Sequence, residues 1–106
     1  MKLRVVMMAM ALAVAALALP AAAQDLKRGE KLLADACGSC HAIGRGGSAD
    51  RNAPPLRTLG QRYSIESLEE ALAEGFMTGH PAMPEFQFDA DDVGAIIAYL
   101  KSIQQR

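Results

Sequence analysis

The only two cysteines of the chain stand three positions apart and are followed at once by one of its two histidines, in the run Cys37-Gly38-Ser39-Cys40-His41. This spacing restricts what the residues can build. A disulfide between Cys37 and Cys40 would close a tiny loop and constrain the unfolded chain very little. A tetrahedral zinc site would need a second pair of Cys or His ligands, and only His80 remains. A redox-active dithiol of the thioredoxin kind follows a strand in a βαβ setting, whereas the residues before Cys37 carry a helical pattern.

Residues 1–23 form a separate block. Lys2 and Arg4 precede an uncharged apolar run, Val5 to Leu19, and then come Pro20 and Ala21-Ala22-Ala23. This is the three-part layout of a secretory signal, with cleavage expected after Ala23 and export to the periplasm. The apolar run falls short of the roughly 20 residues that cross a bilayer, so no stable membrane insertion is expected once the signal is removed. The block also distorts the composition, because 20 of its 23 residues are hydrophobic in a chain that is 51% hydrophobic. Residues 24–106 carry 9 basic and 12 acidic side chains, a balance that gives no general attraction for nucleic acid.

What remains is one small domain with three Phe, two Tyr and no Trp. A domain of that size buries little apolar surface and commonly leans on a cofactor, metal or disulfide. The Cys-x-x-Cys-His run answers both questions as a covalent haem attachment site. Two thiols about one helical turn apart can add to the two vinyl groups on one edge of a haem, and His41 then lies under the iron as proximal ligand. The ring would supply the missing core, and attachment outside the cytoplasm agrees with the export signal.

The rest of the pattern is helical, with no period-2 strand. Asp25 is an expected N-cap for a first helix reaching about Ala36, with Leu26, Gly29, Leu33 and Ala36 on one face. A glycine inside such a face costs about 1 kcal/mol relative to alanine, which implies a close approach by another helix. Residues 38–62 have no periodicity and read as loop. Ser64 is an expected cap for a second helix carrying Ile65, Leu68 and Leu72, with Gly75 as its stop. Residues 76–88 read as irregular, with Pro81, Pro84, Phe76, Phe86 and Phe88. Asp89 opens a third helix with Val93, Ile96, Ile97, Leu100 and Ile103 as its apolar stripe. The fold class expected is all-α, about three helices around one covalently attached haem.

For the second axial position the credible side chains are Met77, His80 and Met83. Met83 is preferred, because Pro81 and Pro84 flank it and hold its backbone extended. A thioether favours Fe(II) and raises the reduction potential, which suits an electron carrier. His80 stands as the alternative, and Met77 reads better as a core residue beside Phe76.

Taken together, these segments resemble a small bacterial class I cytochrome c over nearly all of residues 25–104. The resemblance rests on the helix with Gly29 and Leu33 leading into Cys37-Gly38-Ser39-Cys40-His41, on Ala53-Pro54-Pro55-Leu56, on Gly79-His80-Pro81-Ala82-Met83-Pro84-Glu85-Phe86, and on Ile97-Ala98-Tyr99-Leu100-Lys101. It implies a monohaem cytochrome c fold whose terminal helices cross at the glycine, with Gly29 packed on Ile96 and Tyr99. It also implies that the Pro54 carbonyl accepts the Nδ1 hydrogen of His41 and that Met83 is the axial ligand. The stretch between His41 and Met83 is shorter than in mitochondrial-type members; Arg57 and Tyr63 are its candidates for contacts with the haem propionates.

The function expected is single-electron transfer between redox proteins acting as donor and acceptor, by a monomeric carrier that is not an enzyme. A dedicated cytochrome subunit or electron acceptor of one oxidoreductase complex is the alternative. A ligand-binding or peroxidatic haem protein would need an open iron and is disfavoured. Charge is segregated: four Arg and one acid lie between His41 and Tyr63, and eight acids without Lys or Arg between Ser64 and Leu100. Such a dipole can orient a protein toward its partner, while the acids at helix N-termini also stabilise those helices.

Overall fold

The computed structural model describes residues 20–75 and 82–105. Within them the chain is helical and contains no strand, as the pattern implied. Three α-helices form, α1 (Ala21–Cys37), α2 (Leu68–Glu74) and α3 (Ala90–Ile103), with 3₁₀ turns at Leu56–Gln61 and Ile65–Ser67 between α1 and α2.

α1 begins earlier than the sequence suggested. Pro20 precedes its first turn and three alanines follow, a start that needs no side-chain cap because Ala is the best helix former. Asp25 therefore lies inside the helix and does not cap it. Ser64 does stand at the head of the second helical segment, but its hydroxyl donates to the Glu66 carboxylate at 2.9 Å, and the first turn there is 3₁₀. α2 ends at Gly75, whose φ of 106° is a conformation that side chains rarely adopt. Asp89 occupies the N-cap position of α3 without a side-chain capping bond. Asp91 and Asp92 in the first turn face the positive end of the helix dipole instead, and Asp92 also pairs with Arg28 of α1.

The expected loop of 38–62 contains one ordered element, the turn Leu56–Gln61. A 3₁₀ element of six residues is too short to show periodicity, which is why the pattern hid it. Pro55 leads into it, Thr58 donates its hydroxyl to the Pro55 carbonyl at 2.8 Å, and Leu56 is buried while its N–H bonds to the Ala42 carbonyl at 3.0 Å.

α1 and α3 make the principal helix contact. A Cβ on Gly29 would stand 2.9 Å from the Tyr99 Cβ and nearer still to the Ala95 carbonyl oxygen. The glycine thus meets Ala95 and Tyr99. Ile96, the other partner that the resemblance implied, turns into the core and is fully buried. Val93, Ile97 and Leu100 complete the buried stripe, and Leu33 of α1, Leu56, Ile65 and Leu68 pack into the same core.

Polar ties lock the rest onto α3. The Tyr99 hydroxyl donates to the Ile43 carbonyl at 2.9 Å, just beyond the Cys-x-x-Cys-His run. Gln104 donates through Nε2 to the carbonyls of Leu56 (2.9 Å) and Leu100 (2.8 Å), and its Oε1 accepts the Gly60 N–H at 2.7 Å. Lys101 reaches Glu66 at 2.8 Å and holds that carboxyl well below the usual range, at about 2, first through this hydrogen bond.

Because the crossing leaves no room for a methyl group, Gly29→Ala is expected to lower unfolding stability by about 1–3 kcal/mol, the range for overpacked sites. Denaturant titration checks it; an unchanged midpoint would refute the crossing as described.

Candidate functional site

The helix that crosses α3 delivers the site at its own C-terminal end. α1 closes at Cys37, and the backbone coils on for one more turn, with the N–H groups of Cys40 and His41 bonded to the Cys37 carbonyl at 3.2 and 2.9 Å. Cys37, Cys40 and His41 are thereby gathered on one wall. His41 is oriented from behind, because its Nδ1 donates to the Pro54 carbonyl at 2.7 Å. A proton held at Nδ1 leaves Nε2 as the lone-pair nitrogen available to a metal, and the carbonyl makes the ring a stronger donor.

The two cysteines are free thiols. Burial, and secondarily the neighbouring Cys40, push the Cys37 thiol above its ordinary value. A redox-active dithiol requires the opposite, a depressed pKa that exposes a thiolate.

These residues open onto a cleft of about 640 Å³. Its walls are mainly apolar: Leu33 from α1, Leu56 and Leu59 from the 3₁₀ turn, Leu68 and Leu72 from α2, Ile96 and Leu100 from α3. The far end of the chain's irregular segment closes it with Ala82, Met83, Pro84 and Phe86, and the Phe88 N–H ties that segment to the Leu72 carbonyl at 2.9 Å. An apolar cleft in the usual size range for bound ligands, bordered by two thiols, an imidazole and a thioether, matches the donor chemistry of a covalently held haem.

Of the residues singled out from the sequence, Cys37, Cys40, His41, Pro54, Tyr63 and Met83 all border the cleft. Arg57 does not. Its guanidinium donates to the carbonyls of Gly44 (3.0 Å) and Gly46 (2.7 Å) and clasps the loop after the motif. Arg62 borders the cleft in its stead, with Asp50 and Asn52, none of which the sequence distinguished. All three lie in the aperiodic run, where spacing carries no directional signal. The alternative ligands Met77 and His80 lie outside the described residues, as does Pro81.

Comparisons with known proteins agree with this geometry. The family model for cytochrome c matches residues 26–104. A cytochrome c-552 of Bradyrhizobium diazoefficiens is 33% identical over 94 residues, covering 88% of each chain. A cytochrome c subunit of the cytochrome bc1 complex of Corynebacterium diphtheriae is 36% identical over 87 residues, 76% of this chain and 28% of the relative. No solved structure matches. With a thiol-bordered apolar cleft at the end of α1 and a family match that takes in most of α1 and all of α2 and α3, the chain belongs to the cytochrome c family, with covalently bound haem c as its iron cofactor.

Proposed function

We propose that this cytochrome is a periplasmic single-electron carrier whose haem is attached through Cys37 and Cys40 and whose iron is held by His41 and Met83. The observation that carries the reading is the hydrogen bond from His41 Nδ1 to Pro54, made on the wall of a cleft that Met83 also borders. When bound, haem iron supplies a one-electron change between Fe(III) and Fe(II).

The chain's residues bind and tune that centre. Cys37 and Cys40 would hold the ring through two thioether links, and the Pro54 carbonyl holds the imidazole in one tautomer and orientation. A thioether from Met83 would favour the reduced state, and with His41 and Met83 both serving as ligands the iron would be closed to substrates. The leucine and isoleucine walls would keep water away from the ring, so little solvent reorganisation would accompany oxidation or reduction. Redox proteins serve as donor and acceptor. The arginines of 41–63 and the acids of 64–100 give the molecule a dipole that can orient its approach to them.

Export rests on the signal-like block of residues 1–23. Cleavage after Ala23 would leave Gln24 as the first residue, within the opening turns of α1. A second reading, a cytochrome dedicated to one oxidoreductase complex, draws on the bc1-complex relative, of which this chain spans just over a quarter.

Replacing Met83 by Ala is expected to open the iron, change the visible spectrum and lower the reduction potential, within the span of about 0.8 V that haem axial ligands cover. Potentiometry and absorbance check this, and an unaltered spectrum would transfer the ligand role to His80. A Cys37→Ala, Cys40→Ala double variant is expected to lose most of its helical circular dichroism, because the haem is part of the core. Full helicity with a cooperative melt would contradict that dependence.

A further inference from the structure

Between His41 and Pro54 the chain makes a loop that packing does little to hold. A Cβ on Gly44, Gly46 or Gly47 would meet open space, and Gly46 has a φ of 91°, a conformation that side chains rarely adopt. Hydrogen bonds therefore fix its path. At the base, the Ala42 N–H donates to Ser48 Oγ at 3.0 Å and the Asp50 N–H to the Cys40 carbonyl at 3.1 Å.

The glycine tip is held by Arg57. One guanidinium nitrogen, Nη1, donates to the Gly44 carbonyl at 3.0 Å and to the Gly46 carbonyl at 2.7 Å, both charge-assisted bonds. Among the described residues no carboxylate pairs with this arginine, and no other side chain reaches those two carbonyls. Its backbone is itself anchored, because its carbonyl accepts the Gln105 N–H at 2.8 Å and the preceding Leu56 is buried. Three ties thus join residues 41–46 to residues 54–57 in the same chain order. They are His41 Nδ1 to the Pro54 carbonyl (2.7 Å), the Leu56 N–H to the Ala42 carbonyl (3.0 Å), and Arg57 to Gly44 and Gly46.

We propose that Arg57 is a positioning residue for the iron ligand: by clasping the Gly44 and Gly46 carbonyls it locks the loop after His41 onto the segment that carries Pro54, and so keeps the His41–Pro54 hydrogen bond formed. That bond makes the imidazole a stronger donor, which favours Fe(III) and sets the potential lower than a free ring would. The inference rests on His41 serving as the iron ligand of the proposed function.

The test is hydrogen exchange of the His41 Nδ1–H in the reduced holoprotein, followed by NMR beside the backbone N–H of the fully buried Ile96, together with the reduction potential. The proteins compared are the wild type, Arg57→Gln, Arg57→Lys, Gly46→Ala and the double variant Arg57→Gln, Gly46→Ala. Arg57→Gln is expected to speed exchange at His41 many-fold more than at Ile96 and to raise the potential, because the freed imidazole donates less to the iron. Losing the arginine's charge would by itself lower the potential, so the sign separates positioning from plain electrostatics. Arg57→Lys should recover part of the protection. Gly46→Ala keeps the arginine and strains the loop from its other side; it should act in the same direction, and it decides the matter alone if Arg57→Gln yields no folded protein. The double variant should barely exceed the larger single effect, since both changes break one clasp. Equal acceleration at His41 and Ile96 would overturn the proposal as a general loss of stability, and so would a potential that falls or stays constant in Arg57→Gln. Covalent haem on the denatured wild-type protein, read by mass, separates the two levels: its absence removes the haem reading and this inference with it, whereas its presence beside either of those results removes the role of Arg57 alone.

Discussion

The contact of Gly29 with the backbone of Ala95 and the side chain of Tyr99 is the constraint on which the rest of this molecule depends. α1 has the Cys-x-x-Cys-His run at its C-terminal end, so the angle and depth at which it crosses α3 decide where Cys37, Cys40 and His41 stand. A side chain at position 29 would push the helices apart and move the site away from Ile96 and Leu100, which form the cleft wall behind it. Tyr99 contributes twice, packing at the crossing and donating to the Ile43 carbonyl two residues past His41. The local cost of a glycine in a helix is thus accepted at the one point where a close approach aligns the chemistry.

The second dependence runs between core and cofactor. The buried set is aliphatic, from Leu33 and Leu56 to Val93, Ile96 and Leu100, and Tyr99 is its single aromatic member among the described residues. Leu33, Leu56, Ile96 and Leu100 among them line a cleft of about 640 Å³. Under the proposed function, a ring held covalently in that space would be at once the redox centre and the largest apolar group of the interior, so that folding and function would draw on the same contacts. In the proposed function, small size suits electron transfer, because a helical shell this thin brings the ring edge close to the surface.

Much of this was legible in the sequence, for physical reasons that differ from element to element. The stripe of α3 is strong because five apolar residues repeat at helical spacing, and Gly29 announced a helix crossing because nothing else justifies its cost. The Cys-x-x-Cys-His run pointed by its spacing to the residues that border the cleft, and the resemblance to small cytochromes c drew attention to Pro54, whose carbonyl does accept the His41 hydrogen bond. The start of α1 was misread because Asp25 is a good cap in isolation, yet Pro20 and three alanines begin the helix ahead of it. In residues 38–62 the chain has no period, so neither the turn at Leu56–Gln61 nor the division of labour between Arg57 and Arg62 could be read. Gln104 shows the same limit. Its three hydrogen bonds join residues 44 to 48 positions apart as well as its own helix, and no local pattern reports them.

The central claim is that the iron is closed, with His41 and Met83 occupying both axial positions, so that the protein passes electrons and does not bind substrates. Carbon monoxide added to the fully reduced protein at neutral pH tests it most directly. The account requires a visible spectrum that stays unchanged at millimolar gas concentrations. Prompt conversion to a carbon monoxide-bound spectrum would contradict it and make this a ligand-binding haem protein with an open iron.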